Sequence, residues 1–290
     1  MDALATIATS VVPVFAIMAL GFAYGHFRAL PVRELTDLVM WVLIPCLVLS
    51  SIGGRPLELA EFGRIGGAAL GVMLGCGLLA WLAFAGRPDR RAGMLGSMFM
   101  NSANMAFPLA LLAFGEEGLA RQVIFYAAVN LLHTSLGIAL ARGRGGLGEA
   151  LRLPMVYTTL LAVGLASSGW TLPEALVRPL DMVGKATLPL MLLLLGVRLR
   201  RTRLGHLGPA LGVSLIRLLA GAGLGFFFCW WLQIEGLARA AVLLGSAMPA
   251  AVFNAALAER YDLHPEMVAS SVVLSTGLSL ATIPVVLWLV

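Results

Sequence analysis

Residues 99–110 read FMNSANMAFPLA, two asparagines, a serine and a proline in a run that is otherwise apolar. A proline inside a helix removes a backbone donor and clashes with the carbonyl four residues before it. Pro108 is thus expected to free the carbonyl of Asn104, with Asn101, Ser102 and Asn104 supplying side-chain donors and acceptors at the same depth. A second stretch, LLGSAMPAAVFNAALA (243–258), echoes LGSMFMNSANMAFP (95–108) and carries Ser246, Pro249 and Asn254. There the freed carbonyl is expected at Gly245. Irregular backbone at membrane depth is tolerated only where it is buried in protein or lines a cavity, so two matched interruptions point to a built site.

Depth in a membrane is the relevant measure because the chain is 60% hydrophobic and 12% charged, against roughly 25% charged in a soluble domain. Apolar runs of about 20 residues, enough for a helix to cross a bilayer, recur from end to end. The ten read here are Leu4–His26, Pro31–Ser51, Phe62–Ala85, Arg91–Gly115, Glu117–Ala141, Pro154–Trp170, Ala175–Val197, Leu207–Leu232, Leu237–Leu257 and Pro265–Leu289. The regular alternation of a membrane β-barrel is absent, so the expected fold is an all-α membrane bundle. The N-terminus lacks the basic region of a secretory signal, and the first helix is expected to be retained. Cys46, Cys76 and Cys229 all fall inside apolar runs without metal-ligand spacing; they read as core residues, and no cofactor is expected.

The net charge of +5 is distributed by position. Counting joints from the N-terminus, the odd ones hold Arg28, Arg33, Arg87, Arg90, Arg91, Arg142, Arg144, Arg152, Arg198, Arg200, Arg201, Arg203 and Arg260. The even ones hold only Arg55, Arg64, Arg121, Arg178 and Arg239. This alternation follows the positive-inside rule, placing odd joints in the cytoplasm and both termini outside, and it removes the case for a nucleic-acid partner. Trp81, Trp170, Trp230, Trp231 and Trp288 fall at expected helix ends, as in an interfacial aromatic belt.

The chain also repeats. In runs two and seven an aspartate is followed eight residues later by a proline, Asp37 with Pro45 and Asp181 with Pro189. With the echo between runs four and nine, this divides the chain into a first five-helix repeat (1–141), a cytoplasmic linker (142–153) and a second repeat (154–290). An odd number of spans per repeat inverts one half relative to the other, the layout of many secondary transporters. Half-helix N-termini at the two interruptions would present free N–H groups and a positive dipole end, which favour anions.

Ionisable residues within spans are functional candidates by default. They are Asp37, Asp181 with Lys185 one turn later, His133 and Arg217. Asp181 and Lys185 can pair with each other, and Pro189 would kink the helix at Lys185. Arg217 is permanently charged and could meet an anion, a carboxylate of the protein or freed carbonyls. His133 could carry a proton or serve as a hydrogen-bonded structural residue, and Asp37 is the better proton-relay candidate.

NSANMAFPLALLAFG (101–115) and AMPAAVFNAALAERYDLHPEMVASSVVLSTGLSLATIPV (247–285) resemble the auxin efflux carrier family, whose bacterial members include malonate and malate carriers. Ala103 and Ala106 stand where the family pattern has glycines. The resemblance implies ten helices in two inverted repeats, with the fourth and ninth broken and crossing. It also implies a scaffold of runs one, two, six and seven beside a moving, elevator-like transport unit. Asn101 matches the crossover asparagine expected to contact a substrate carboxylate; its counterpart could be Ala251, Phe253 or Asn254, of which Asn254 is chosen. The plant branch is often dimeric, which makes a homodimer admissible.

The expected function is therefore secondary transport of small organic anions, mono- or dicarboxylates, across a bacterial-type inner membrane. A sodium-coupled symporter of the bile acid carrier type is the alternative, with Ser97, Ser102 and Ser246 as contributing hydroxyls. No Walker loop is present, and the GxSG and HExxH patterns of an intramembrane enzyme are missing, so catalysis is not expected.

Overall fold

The computed structural model describes residues 3–53, 58–143, 148, 154–168 and 172–290. Arg55, Arg144, Arg152, Trp170 and most of the 142–153 joint lie outside the described residues. The helices are α1 (Ala3–Phe27), α2 (Val32–Ile52), α3 (Leu59–Ala83), α4 (Arg90–Met98) and α5 (Ala106–Arg142). After the linker come α6 (Pro154–Ser168), α7 (Glu174–Arg201), α8 (Leu207–Trp231), α9 (Gly236–Ser246), α10 (Val252–Arg260) and α11 (Pro265–Trp288). Among the described residues no strand forms, and the β-type contact is an isolated antiparallel bridge between Met100 and Ala250.

Seven of the described helices, α1, α2, α3, α5, α7, α8 and α11, are long and apolar enough to cross a bilayer. The fourth and ninth sequence runs do not join that group because each is cut. Run four is helical to Met98 and again from Ala106, and run nine is helical to Ser246 and again from Val252. Within α5 the backbone turns at Gly115, whose φ of 69° is open to glycine without strain, so α5 has two limbs and the expected boundary between runs four and five falls on the bend.

Contacts between joints sort them onto two ends. Arg201 donates to the Leu30 carbonyl and Arg200 reaches the His26 ring, joining the α1–α2 and α7–α8 connections. The Gly205 N–H donates to Ser270 Oγ at 2.8 Å, tying α7–α8 to the start of α11. Arg91 donates to the carbonyls of Leu140 and Ala141, joining α3–α4 to the end of α5. At this end Arg87 grips the Asp89 carboxylate with two bonds of 2.9 and 2.8 Å. That bonded guanidinium, aided by the nearby His264, holds the Asp89 carboxyl below its ordinary range against the opposing effect of burial. At the other end Arg64 donates to Gln233 O, and Arg121 pairs with Glu61 at 2.6 Å.

Without a hydrophobic drive between helices in lipid, close backbone approach and van der Waals contact hold such a bundle together. The contact of α1 with α7 shows it: a Cβ on Gly21 would run into the Leu193 backbone, and one on Gly196 into the backbone of Met18. α7 runs as one helix from Glu174 to Arg201 with Pro179 and Pro189 inside it, so Pro189 does not interrupt the helix at Lys185. α2, α5 and α8 each contain a π-turn, at Val39–Leu43, His133–Gly137 and Ile216–Ala220. Trp81, Trp230, Trp231 and Trp288 are exposed near helix ends, and Cys76 and Cys229 are buried while Cys46 is half-buried, all three with free thiols.

Candidate functional site at the helix crossing

The two non-helical stretches, 99–105 and 247–251, lie against each other. The Asn101 N–H donates to Pro249 O at 2.7 Å and the Ala251 N–H to Phe99 O at 3.0 Å, one antiparallel bridge centred on Met100 and Ala250. The Ala250 N–H donates to Ser275 Oγ of α11 at 3.0 Å. The crossing thus answers its own backbone through a pairing that neither stretch could make alone.

The prolines act differently from expectation. Pro108 lies in the first turn of α5, where a missing N–H costs nothing, because the interruption begins upstream at Phe99. Pro249 lies within the interruption itself, and the Gly245 carbonyl is not left free: it accepts from the Met248 N–H at 3.3 Å. The carbonyls actually released are at the C-terminal ends of α4 and α9, and one side chain takes them. Arg217 of α8, fully buried, donates to Ser97 O at 3.0 Å, Met98 O at 3.3 Å and Ser246 O at 2.7 Å. Of the roles open to Arg217 in the sequence, the freed-carbonyl role is the one present.

The polar side chains divide into spent and unspent. Asn254 is fully buried and donates through Nδ2 to Phe99 O at 3.0 Å, while its Oδ1 has no partner. Asn101 is buried with its Nδ2 unpartnered; only its backbone is engaged. Ser246 Oγ is also buried without a partner. The Ser102 carbonyl accepts from Gln122 Nε2 at 3.4 Å, and Asn104 is half-buried. His133 stacks on Phe99 with centroids 4.2 Å apart and meets Phe253 edge-on, its Nε2 unpartnered near Asn254.

The start of α5 has Met105 as its N-cap and α10 has Ala251, and neither is capped by a side chain. The Phe107 N–H is answered by the Ala103 carbonyl at 3.2 Å and the Asn254 N–H by the Ala251 carbonyl at 3.0 Å, so both positive dipole ends adjoin the crossing with backbone bonds but no side-chain cap. The charged residues Asp37, Asp181 and Lys185 sit apart from the crossing. Asp37 is exposed in the second turn of α2 rather than buried, and Asp181 pairs with Lys185 at 2.9 Å as spacing suggested, with both about 40% exposed. Lys185 has a second partner, Glu116 of α5 at 2.8 Å. Sequence reasoning missed Glu116, Gln122, Ser275 and the Phe99 carbonyl. Gln122 was the detectable one, an amide in an apolar helical run.

A family model described as membrane transport protein matches the chain twice, over residues 6–152 and 147–287. The chain belongs to this family, the auxin efflux carriers. An uncharacterised transporter of Methanocaldococcus jannaschii is 28% identical over 284 residues, 92% of each chain. One from Methanothermobacter thermautotrophicus is 32% identical over 201 residues, 67% of this chain and 65% of its own. A protein of Rhizobium meliloti named "Putative malonate transporter" is 25% identical over 317 residues, 99% of this chain and 97% of the relative. This carrier is thus a multi-pass membrane protein with transporters as relatives.

Proposed function

We propose that this carrier moves small organic anions bearing a carboxylate, and that the crossing is where the carboxylate binds. The observation that carries the reading is the Asn101 amide, a buried donor with no partner beside two half-helix N-termini that no side chain caps. An unpaired buried donor costs about 1–3 kcal/mol. A carboxylate is the group that would answer it and the helix ends together. The name of the Rhizobium meliloti relative agrees with such a substrate.

In this reading the interrupted segments α4–α5 and α9–α10 each cross the membrane once, as parts of two inverted five-helix halves. The double family match and the sorting of joints onto two ends support that layout. A two-fold through the Met100–Ala250 bridge sends Asn101 to Ala251 rather than to Asn254, so the carboxylate site is lopsided, with its amide on one side. The basic joints put their end in the cytoplasm of a bacterial-type inner membrane, with both termini outside. Because Asn101, Ser102 and Asn254 are buried, a substrate reaches them only if α3–α5 and α8–α11 move as a unit against α1, α2, α6 and α7.

The test is ligand-induced thermal stabilisation against a panel of mono- and dicarboxylates, since a binder adds RT ln(1 + [L]/Kd) to stability. A carboxylate should raise the melting temperature of the wild type and leave Asn101→Ala unmoved. A panel in which no carboxylate moves the wild type would sink the proposal.

A further inference from the structure

Arg217 is a permanent positive charge with its side chain wholly buried. Among the described residues no carboxylate pairs with it; its bonds run to the carbonyls of Ser97, Met98 and Ser246, with the Cys76 thiol beside it. A buried ion without a counter-ion is strongly disfavoured unless something else supplies the negative potential. Here two helix C-termini do. α4 ends at Met98 and α9 at Ser246, and each C-terminus carries about −0.5 elementary charge. Together they offset about one positive charge.

Three carbonyl oxygens at the facing C-terminal ends of broken helices form the donor set with which transporters hold a sodium ion. The hydroxyl of Ser246, the residue whose carbonyl closes that cage, is fully buried and unpartnered. The cage is shaped around the guanidinium: Gly221, one turn after Arg217, has no room for a Cβ, which would meet Ser246 O at 2.5 Å and Arg217 Cζ at 2.8 Å. Gly225 likewise clears the Ser246 side chain.

We infer that the space between the ends of α4 and α9 is a monovalent-cation site that the chain fills with its own Arg217. The guanidinium is a tethered stand-in for a bound sodium ion, and the carrier runs without sodium because that position is never vacated. Removing the side chain opens a cage for sodium or free guanidinium. This rests on the geometry of the crossing and not on the identity of the substrate.

The experiment compares the melting of purified wild type and Arg217→Ala, without substrate, in sodium, potassium, choline and guanidinium chlorides at equal, low-millimolar ionic strength. The wild type should melt at the same temperature in sodium and choline. Arg217→Ala should melt lower, and guanidinium or sodium should raise its melting temperature saturably while choline does not. If Arg217→Ala does not fold, Arg217→Lys serves: its ammonium should leave it less stable than wild type and still indifferent to sodium. The inference is overturned by an Arg217→Ala whose melting ignores sodium and guanidinium alike, by saturable sodium stabilisation of the wild type, or by an Arg217→Lys that responds to sodium. Because no carboxylate enters the assay, a wrong substrate class would leave these outcomes untouched.

Discussion

The side-chain amide of Asn254 donates to the backbone carbonyl of Phe99 at 3.0 Å, across the contact between the two interrupted segments. That one bond separates two asparagines that look alike in the sequence. Asn254 is a strap, whereas the amide of Asn101 is left with nothing to hold. Asn254→Ala should therefore cost stability, about 0.5–1.5 kcal/mol for one buried bond, since the Phe99 carbonyl keeps the Ala251 N–H. Asn101→Ala should leave the melting temperature at or slightly above wild type and remove carboxylate binding. Melting curves of both variants with and without substrate make the comparison, and an Asn101→Ala as destabilised as Asn254→Ala would place both in the frame of the crossing.

That the fourth and ninth segments are interrupted was legible, because prolines and amides recur there in matching apolar runs. Where the interruptions fall was not. Pro108 is the conspicuous helix breaker, yet the helix has already ended at Met98 and Pro108 lies in the first turn of the next one, which starts at Ala106. The role of Arg217 was hidden for a related reason: its partners are backbone carbonyls, and every residue has one, so the sequence marks the donor and never the acceptors. Asp181 and Lys185 could be paired from a spacing of four, while Glu116 comes from another helix and no local pattern announces it. Asp37 reads as intramembrane by position and is exposed, since periodicity in an apolar run does not say which side faces the bundle.

Gly221→Ala should dislodge the guanidinium. The new methyl group would overlap both Ser246 O and Arg217 Cζ, and neither can yield without breaking the bond between them. Overpacking of this kind costs about 1–3 kcal/mol. The expected result is a clear fall in melting temperature in the absence of substrate. A Gly221→Ala protein that melts with wild type would show that Arg217 has room to move and is not locked between α4 and α9.

Acid should weaken the basic end of the bundle through Asp89. Its carboxyl is held below the ordinary range by the Arg87 bonds, so folding favours the ionised form. The stabilisation is therefore present above the carboxyl's unfolded pKa and is lost as pH falls through its lower folded value. Asp89→Asn should melt below wild type at neutral pH, and the gap should close as the pH is taken down. A gap that stays constant across the acid range would assign the loss to packing and not to charge.

Lys185 joins Glu116 of α5 to Asp181 of its own helix, so this pair spans the boundary along which the proposed unit would slide. With both Lys185 and Glu116 about 41% exposed, the link is worth little to stability, roughly 0.2–1 kcal/mol as for other exposed pairs. Its effect belongs in the rate. Neutralising Lys185 with Lys185→Met should shift melting only slightly while changing flux, because one of the positions that the unit occupies loses a tether. Lys185→Glu should be worse than neutralisation, since it gathers three carboxylates at one point. Adding Glu116→Lys to it restores an opposite pair with the same net charge, and flux and melting should both return toward wild type. Transport in vesicles, with melting measured in parallel, reads the two effects separately. If the double variant fails to recover over Lys185→Glu, the contact between α5 and α7 does not act through charge, and the boundary must be held by the packing of apolar side chains instead.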